Sequence, residues 1–163
     1  MTSEILFSNG KTYIGNRTNN VKQGMGIELY SNANIYIGNF ANNQKHGKGM
    51  FIWRNGELYI GHFTYGKKDG KGFTRYENGD TYDGYYKEGH KTGKGIYTWT
   101  NGTTYNGYLL NGIRHGKGRF TYANGDTFDG NFADNKKHGI GTYTWKSGKR
   151  YIGDWTHGKM HIF

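Results

Sequence analysis

Residues 36–58 read YIGNFANNQKHGKGMFIWRNGEL, and residues 59–81 repeat the pattern as YIGHFTYGKKDGKGFTRYENGDT. Each copy opens with Tyr-x-Gly and carries Gly-x-Gly near its middle. The opening aromatic residue recurs every 23 residues along the chain, at Tyr13, Tyr36, Tyr59, Tyr82, Tyr105, Phe128 and Tyr151. A fixed period of this length is typical of repeat proteins, in which each unit packs against its neighbours.

The apolar residues within a repeat alternate with a period of two, as in Phe51-x-Trp53. This period favours two short, half-buried strands per repeat. Between them, Asn55-Gly56 predicts a three-residue hairpin loop that places Phe51 across from Tyr59 and gathers the rings on one face. We therefore predict an all-β fold, an elongated, twisted antiparallel sheet of β-hairpin repeats with about 14 short strands.

A second turn is predicted seven residues after each opening aromatic residue. Only residues that tolerate positive φ occur there, namely Asn20, Asn43, Gly66, Gly89, Gly112, Asn135 and Gly158. Since 23 is odd, the inward and outward positions must exchange once per repeat, between the Tyr-x-Gly and Gly-x-Gly strands. We predict that a β-bulge at glycines such as Gly49 and Gly72 makes this exchange.

Composition excludes several classes of protein. The chain of 163 residues has 15 Tyr, 9 Phe and 4 Trp, so enough apolar surface is present for a fold despite a net charge of +10. The lack of cysteine excludes disulfides, thiolate zinc sites and cysteine nucleophiles. No secretory signal or membrane-spanning run is recognisable, so we expect an intracellular protein, cytoplasmic or associated with a membrane or the cytoskeleton. We also expect a single domain over residues 1–163, with repeats at about 7–158 and capping segments at 1–8 and 156–163.

The 23-residue units resemble MORN (membrane occupation and recognition nexus) repeats, whose pattern is Tyr-x-Gly-x-aromatic, then Gly, then Gly-x-Gly. The second aromatic position holds Phe40, Phe63, Tyr86, Phe132 and Trp155, whereas repeats one and five have Arg17 and Leu109 there. The resemblance covers nearly the whole chain. It implies an elongated β-sheet that binds proteins, sometimes dimerises and has been proposed to bind acidic phospholipids.

The face away from the rings is apolar in the first three repeats and polar later. Its apolar members are Ile14, Ile27, Leu29, Ile35, Ile37, Ile52, Leu58 and Ile60, and the later positions hold Asp83, Asn106, Arg119, Thr121, Asp129 and Thr144. A single-layer sheet should have one wet face, so the apolar stretch needs a cover. The cover can be a partner segment, a second copy, or residues 1–8 folding back. We predict an extended or helical segment of another protein, bound by Ile27, Leu29, Ile35, Ile37, Ile52, Leu58 and Ile60.

A homodimer through a terminal edge strand is an alternative, and the C-terminal residues 160–163 can cap or extend such an edge.

A second candidate site is basic. The middle residue of Gly-x-Gly is Lys48, Lys71, Lys94 and Lys117 in four consecutive repeats. We expect other basic residues to join them in a rim, namely Lys22, Lys45, Lys67, Lys68, Lys87, Lys91, Arg114, Lys136 and Lys137. Such a rim can bind acidic phospholipid surfaces, although lysines on exposed sheets also serve solubility and block edge pairing. The sequence does not tell which face holds the four lysines.

Catalytic and metal sites find no support in the sequence. His46, His115, His138 and His161 share one repeat position, but equivalent residues lie about 9.6 Å apart, too far to share a zinc ion. The rings occupy inward positions, which argues against nucleic-acid binding. We expect a non-enzymatic scaffold without cofactor or metal. An adaptor for acidic membranes is the alternative, and a structural subunit of a larger cytoskeletal, ciliary or enzyme assembly is a weaker one.

Overall fold

A computed structural model describes residues 4–161 of the protein, with the side chains of Ile5 and of residues 9–161. The described residues form fifteen β-strands and no helix, so none of them belongs to a helix that could cross a membrane. The strands are β1 (Glu4–Ser8), β2 (Lys11–Thr18), β3 (Val21–Tyr30), β4 (Ile35–Ala41), β5 (Gln44–Ile52), β6 (Leu58–Thr64), β7 (Lys67–Arg75), β8 (Thr81–Lys87), β9 (His90–Thr98), β10 (Thr104–Leu110), β11 (Ile113–Thr121), β12 (Thr127–Ala133), β13 (Lys136–Thr144), β14 (Arg150–Thr156) and β15 (Lys159–Met160).

The chain divides into two compact units. Unit 1 comprises Met1–Glu77 with Tyr86–Gly89, and unit 2 comprises Asn78–Tyr85 with His90–Phe163. Whether residues 1–163 act as one domain stays a prediction. Within each unit the strands pair antiparallel with their neighbours in sequence, and the strand order is the chain order. The predicted all-β hairpin meander is therefore confirmed. The strand beyond the expected fourteen is β1, which precedes the first repeat and pairs with β2.

The first kind of turn has the predicted register. Phe51 pairs with Tyr59, and the backbone N–H of Trp53 donates to the carbonyl of Glu57 at 2.9 Å. Gly56, the third loop residue, has a φ of 86°. The three-residue loop predicted from Asn-Gly is confirmed.

The second kind of turn is a two-residue hairpin in the left-handed conformation. All seven predicted Asn and Gly positions have positive φ, between 63° at Asn20 and 90° at Gly89. The residue before each of them also has positive φ, including Tyr65 at 47° and Glu88 at 48°. Two consecutive left-handed residues define a type I′ turn, whose twist matches that of the flanking strands.

The exchange of inward and outward positions takes place in this turn. Ala41 pairs with Gln44 across the turn, and residues that pair across two strands point to the same face. Since 41 is odd and 44 is even, the positions that face the rings have even numbers in β4, as Tyr36 does, and odd numbers in β5, as Phe51 does. A bulge is present between the same strands, where the pairing changes from Gly38 with Gly49 to Phe40 with Lys45. Because this shift amounts to two residues, it leaves the alternation unchanged. The prediction that the bulge makes the exchange is wrong, and the bulge residue with a left-handed backbone is Gly47, with a φ of 66°, rather than Gly49.

The core of each unit is a continuous stack of rings on one face of the sheet, called here the ring face. In unit 1 the Tyr36 ring lies edge-on between Phe40 and Phe63, with centroids 5.1 and 5.2 Å away. In unit 2 Phe128 meets Trp155 in the same manner at 5.0 Å. The repeat tyrosines also donate a hydrogen bond from the hydroxyl to the backbone carbonyl three residues later, at 2.7–3.4 Å. The predicted gathering of rings on one face is confirmed.

Candidate functional site

The other face of the sheet, called here the back face, carries a continuous apolar row in unit 1. Each member of the row pairs directly with the next across adjacent strands. The row consists of Ile5, Ile14, Ile27, Ile37, Met50, Ile60 and Phe73. A second, shorter row runs beside it through Leu29, Ile35, Ile52 and Leu58. The seven residues predicted to bind a partner all belong to these two rows, named here the apolar rows.

The apolar rows are open to solvent along much of their length. Ile60 keeps 49% of its surface exposed and Ile5 62%, while Ile27, Ile37 and Ile52 are half-buried by their neighbours. Residues 4–8 do not fold back over these side chains as strands of a second layer, because they form β1 at the edge of the sheet. The side chains of Leu6 and Phe7, which belong to that segment, lie outside the described residues. The C-terminal residues Lys159–Met160 extend the sheet beside β14, as one alternative expected, and residues 162–163 lie outside the description.

The equivalent row of unit 2 is polar in its middle. It runs from Ile96 through Asn106, Arg119, Asp129 and Thr142 to Ile152. Arg119 and Asp129 form a salt bridge of 3.5 Å across neighbouring strands. Four polar residues therefore separate the two isoleucines, so that a continuous apolar row is a property of unit 1.

The lysines of Gly-x-Gly lie on the back face. Lys48 follows the alternation away from Gly49, which faces the Tyr36 ring, and it pairs with His62 on the neighbouring strand. Lys94 pairs in the same way with Tyr108, and Lys117 with Asn131. Lys71 occupies the matching position of β7, and all four lysines are exposed. Lys48 and Lys71 therefore border the apolar rows of unit 1, and the two candidate sites share one surface.

Six of the other basic residues do not form a rim. They recur every 23 residues on the ring face, where they lie over the aromatic rings, and they are Lys22, Lys45, Lys68, Lys91, Arg114 and Lys137. The Lys137 ammonium lies 4.4 Å from the Trp155 ring centroid and 4.6 Å from that of Tyr143. Burial lowers the pKa of Lys137 to about 8. The attraction between a cation and a ring face accounts for this placement, and the prediction that these six belong to a basic rim is wrong.

The remaining basic residues of the expected rim are at the surface. Lys67 and Lys87 form exposed salt bridges with Glu88 at 3.6 Å and Asp69 at 3.2 Å. Exposed pairs of this kind contribute little to stability. Of the histidines, His46 lies beside the Tyr65 ring, with centroids 5.8 Å apart. Among the described side chains, no three His, Asp or Glu residues are placed to share a metal ion.

Comparison with known proteins identifies the repeat and the fold. Among solved structures, the SAS-4 (dCPAP) TCP domain of Drosophila melanogaster, in complex with a proline-rich motif of Ana2 (dSTIL), has a TM-score of 0.52 at 14% identity, over 80% of this chain and 72% of that one. The wild-type TCP10 domain of Danio rerio CPAP also has a TM-score of 0.52, at 13% identity, over 93% of this chain and 71% of that one. At these identities the likeness shows a shared fold. The search of curated proteins gives no match.

The MORN repeat pattern matches residues 36–57, 59–81, 82–104, 105–127, 128–150 and 151–161. The structure extends the same geometry to the preceding repeat, where the Tyr13 hydroxyl donates to the carbonyl of Asn16 at 2.7 Å and the register changes after Gly15. Sequence pattern, turn geometry and ring stacking agree over most of the chain, which therefore belongs to the MORN repeat family.

Proposed function

We propose that the protein is a non-enzymatic interaction scaffold, and that the apolar rows of unit 1 bind a segment of a partner protein. The observation that carries this proposal is the continuous row from Ile5 to Phe73, which places one apolar side chain on each of seven adjacent strands. Covering such side chains removes apolar surface from water, at about 25 cal/mol per Å². A contiguous exposed patch of this kind is typical of an interaction site.

The spacing of the row favours a helical partner segment over an extended one. Adjacent strands lie about 4.8 Å apart, close to the 5.4 Å rise of one α-helical turn. A helix that crosses the strands along the row can therefore set one apolar residue over each strand. Seven strands span about 29 Å, which corresponds to roughly 19 helical residues. Lys48 and Lys71, along one side, favour acidic residues on the flank of that helix.

The fold comparison supports peptide binding in general terms. The Drosophila TCP domain, whose fold is similar, is in complex with a proline-rich motif of Ana2. That complex supports the proposal that a sheet of this fold can hold a segment of another protein. The partner of this chain is argued from its own apolar rows, since only the fold is shared.

Capture of binding proteins with matched variants tests the proposal. The full chain, Ile37→Asp, Ile60→Asp and the control Asn106→Asp are each used as bait, and bound proteins are quantified by mass spectrometry. Asn106 occupies the row position of Ile60 in unit 2, two repeats later. We expect at least one partner to be lost with both isoleucine variants and kept with Asn106→Asp, at low and at physiological salt. If every captured protein tolerates Ile37→Asp and Ile60→Asp, the apolar rows are not the binding site.

An adaptor for acidic membranes is the second candidate, because the exposed Lys48 and Lys71 border apolar side chains on the same face. Apolar groups beside lysines suit the boundary between headgroups and acyl chains, and each charge contributes about 1 kcal/mol close to an anionic surface. Flotation with phosphatidylserine vesicles tests this function. Binding should fall steeply with salt and with Lys48→Glu plus Lys71→Glu. A failure to float at low salt would exclude the membrane function and leave the partner proposal intact.

A further inference from the structure

A cleft of about 540 Å³ opens on the ring face of unit 1, away from the apolar rows. Its charged and aromatic lining comes from the first two repeats and includes Lys11, Lys22, Glu28, Tyr30, Phe40 and Lys45. The volume lies within the range of small-ligand sites, about 300–1,000 Å³. Three lysines and one carboxylate line one opening, so the cleft combines ring surfaces with a net positive charge.

The cleft coincides with a departure from the repeat pattern at Glu28. This residue pairs across the strands with Tyr13 on one side and Tyr36 on the other. Four of the later repeats have a ring at the same position, namely Phe51, Tyr97, Phe120 and Tyr143. In the remaining repeat Thr74 is covered by the Tyr86 hydroxyl at 2.6 Å. A slender carboxylate thus replaces a ring in the stack, and space is left above it.

Glu28 is ionised and already neutralises one lysine. Only 5% of its surface is exposed, and its carboxylate accepts hydrogen bonds from the Lys22 ammonium and from the Tyr30 hydroxyl. Burial alone would raise the pKa of Glu28, but the hydrogen bonds from Lys22 and Tyr30 outweigh it and hold the pKa below its ordinary value. The Lys22–Glu28 pair is therefore complete in the absence of any ligand.

The lining of the cleft carries a net charge of two, because Glu28 is its one carboxylate against three lysines. The Lys45 ammonium donates to the Tyr30 hydroxyl at 3.1 Å and lies 4.6 Å from the Phe51 ring centroid. The Lys11 ammonium lies 4.9 Å from the centroid of Tyr30. Neither lysine forms a salt bridge with a carboxylate in the described part of the chain. Burying an ammonium group away from water is costly. Burial lowers the pKa of Lys45, and the attraction of the Glu28 carboxylate offsets this only in part.

We propose that this cleft binds an oxyanion, a carboxylate or phosphate group, between the ammonium groups of Lys11 and Lys45. The Lys11 and Lys45 ammonium groups lie 4.9 and 5.4 Å from the centroid of the same Tyr30 ring, and both residues line the cleft, so an anion bound in this opening would be attracted by both. The anion would supply Lys45 with charge-assisted hydrogen bonds in place of the water that burial removes. The body of the ligand would rest against Tyr13 and Phe40, which line the same cleft.

Calorimetric titration of the full chain at low ionic strength tests the site. The probes are sodium phosphate, sodium acetate, a phosphoserine peptide and a glutamate peptide of the same sequence. We expect saturable binding at one site, weakened at least about tenfold by Lys11→Met and by Lys45→Met. Lys11 is exposed, so its replacement should leave the fold intact. Lys48→Met, which removes an exposed lysine from the back face, is the matched control and should leave the affinity unchanged.

Glu28→Gln supplies a second, opposite expectation. Removing the carboxylate charge frees Lys22 for the ligand, so anion affinity should rise several-fold even if the variant melts at a lower temperature. Preference for the phosphate probes or for the carboxylate probes identifies the anion, and preference for peptides over the free ions identifies its source. The proposal is overturned if no probe binds saturably, if Lys48→Met weakens binding as much as Lys11→Met, or if Glu28→Gln leaves the affinity unchanged. None of these outcomes bears on the apolar rows, which lie on the other face.

Discussion

The ring of Tyr36 lies directly over Gly49 of the neighbouring strand, where a Cβ atom would come within 2.6 Å of the ring carbon Cε2. Gly38, which pairs with Gly49, is covered by the same ring, and its Cβ would lie 2.6 Å from the Tyr36 hydroxyl oxygen. That hydroxyl donates to the carbonyl of Asn39 at 2.8 Å. The glycine of Tyr-x-Gly and the second glycine of Gly-x-Gly therefore both lie under one tyrosine ring, and a side chain at either glycine would overlap this ring. The hydrogen bond of the hydroxyl holds the ring in this position.

Gly49→Ala should destabilise the fold because its methyl group would occupy the volume of the Tyr36 ring. Gly49 has no left-handed backbone, so the cost comes from overpacking rather than from conformational strain. Overpacking of a close-packed core costs about 1–3 kcal/mol, and for a chain of this size each kcal/mol lowers the melting temperature by about 2–4 °C. Gly49→Val should cost more. Thermal unfolding followed by circular dichroism measures the effect.

The neighbouring residue provides the control for this prediction. Lys48 lies on the same strand but on the back face, exposed to solvent, so Lys48→Ala should change the melting temperature little. Equal melting temperatures for Gly49→Ala and the wild type would show that the ring does not occupy the space above Gly49.

Phe128 is the one opening aromatic residue of the seven repeats that has no hydroxyl, and we expect its replacement by tyrosine to stabilise the fold. In unit 2 Tyr105 donates to the carbonyl of Tyr108 at 2.8 Å, whereas Phe128 has no such bond to offer. Phe128→Tyr should stabilise the protein by about 1 kcal/mol, and Tyr105→Phe should destabilise it by a similar amount. Urea unfolding of both variants checks the pair. A loss of stability in Phe128→Tyr would show that the tighter register in this repeat, where Asn131 pairs with His138, leaves no place for the hydroxyl.

The turns explain which parts of the fold could be predicted from the sequence. The pairing of Phe51 with Tyr59 follows from the loop type, because a hairpin loop fixes the register of both strands. The left-handed positions were identified because only Asn and Gly occur there. The residue before them carries no such mark, as Tyr65 and Glu88 show. Because the first turn residue has no such sequence signal, the sequence does not identify a two-residue turn, and the exchange of faces is wrongly assigned to the bulge.

The same gap explains what was missed at the candidate sites. The face of Lys48 depends on where the exchange occurs, so it could not be predicted without the turn geometry. The six basic residues over the rings share one position, two residues after the left-handed Asn or Gly of the two-residue turn, as Lys45 follows Asn43. Counting faces from that turn would have placed them inward. The apolar rows were largely identified by alternation, but Met50 and Phe73 were missed, because their alignment with Ile60 depends on the register of both neighbouring strands. Ile5 was also missed, because β1 precedes the first repeat.

Lys137 should make stability rise with pH on the alkaline side. Its pKa is lowered by burial to about 8 in the folded protein, against about 10.4 for an ordinary lysine. Between these values the unfolded chain binds more protons than the folded one, so the free energy of unfolding increases from about pH 8 until tyrosine ionisation begins near pH 10. Lys137→Met should flatten this rise, while Lys136→Met at the exposed neighbouring position should not. Urea unfolding between pH 7 and 10 tests it. An identical pH dependence in Lys137→Met and the wild type would show that the cation keeps its ordinary pKa, stabilised over the rings of Trp155 and Tyr143.

Asp126 should govern part of the acid sensitivity of unit 2. Its carboxylate accepts hydrogen bonds from the Tyr143 hydroxyl at 2.7 Å and from the backbone N–H of Lys146 at 2.8 Å, and these bonds lower its pKa below the ordinary value. A carboxyl group with a lowered pKa stabilises the fold above its unfolded pKa, near 4, and loses this contribution as the pH falls through the folded value. Asp126→Asn should therefore lower the melting temperature at pH 7 and show a smaller further loss between about pH 4 and 2 than the wild type.

Asp129→Asn provides the comparison, because Asp129 lies exposed on the back face in a 3.5 Å salt bridge with Arg119 and should contribute little. Melting curves at a series of pH values distinguish the two carboxylates. If Asp126→Asn and Asp129→Asn follow the same acid profile, the hydrogen bonds from Tyr143 and Lys146 do not hold adjacent turns together, and the stability of the repeat array rests on ring stacking alone.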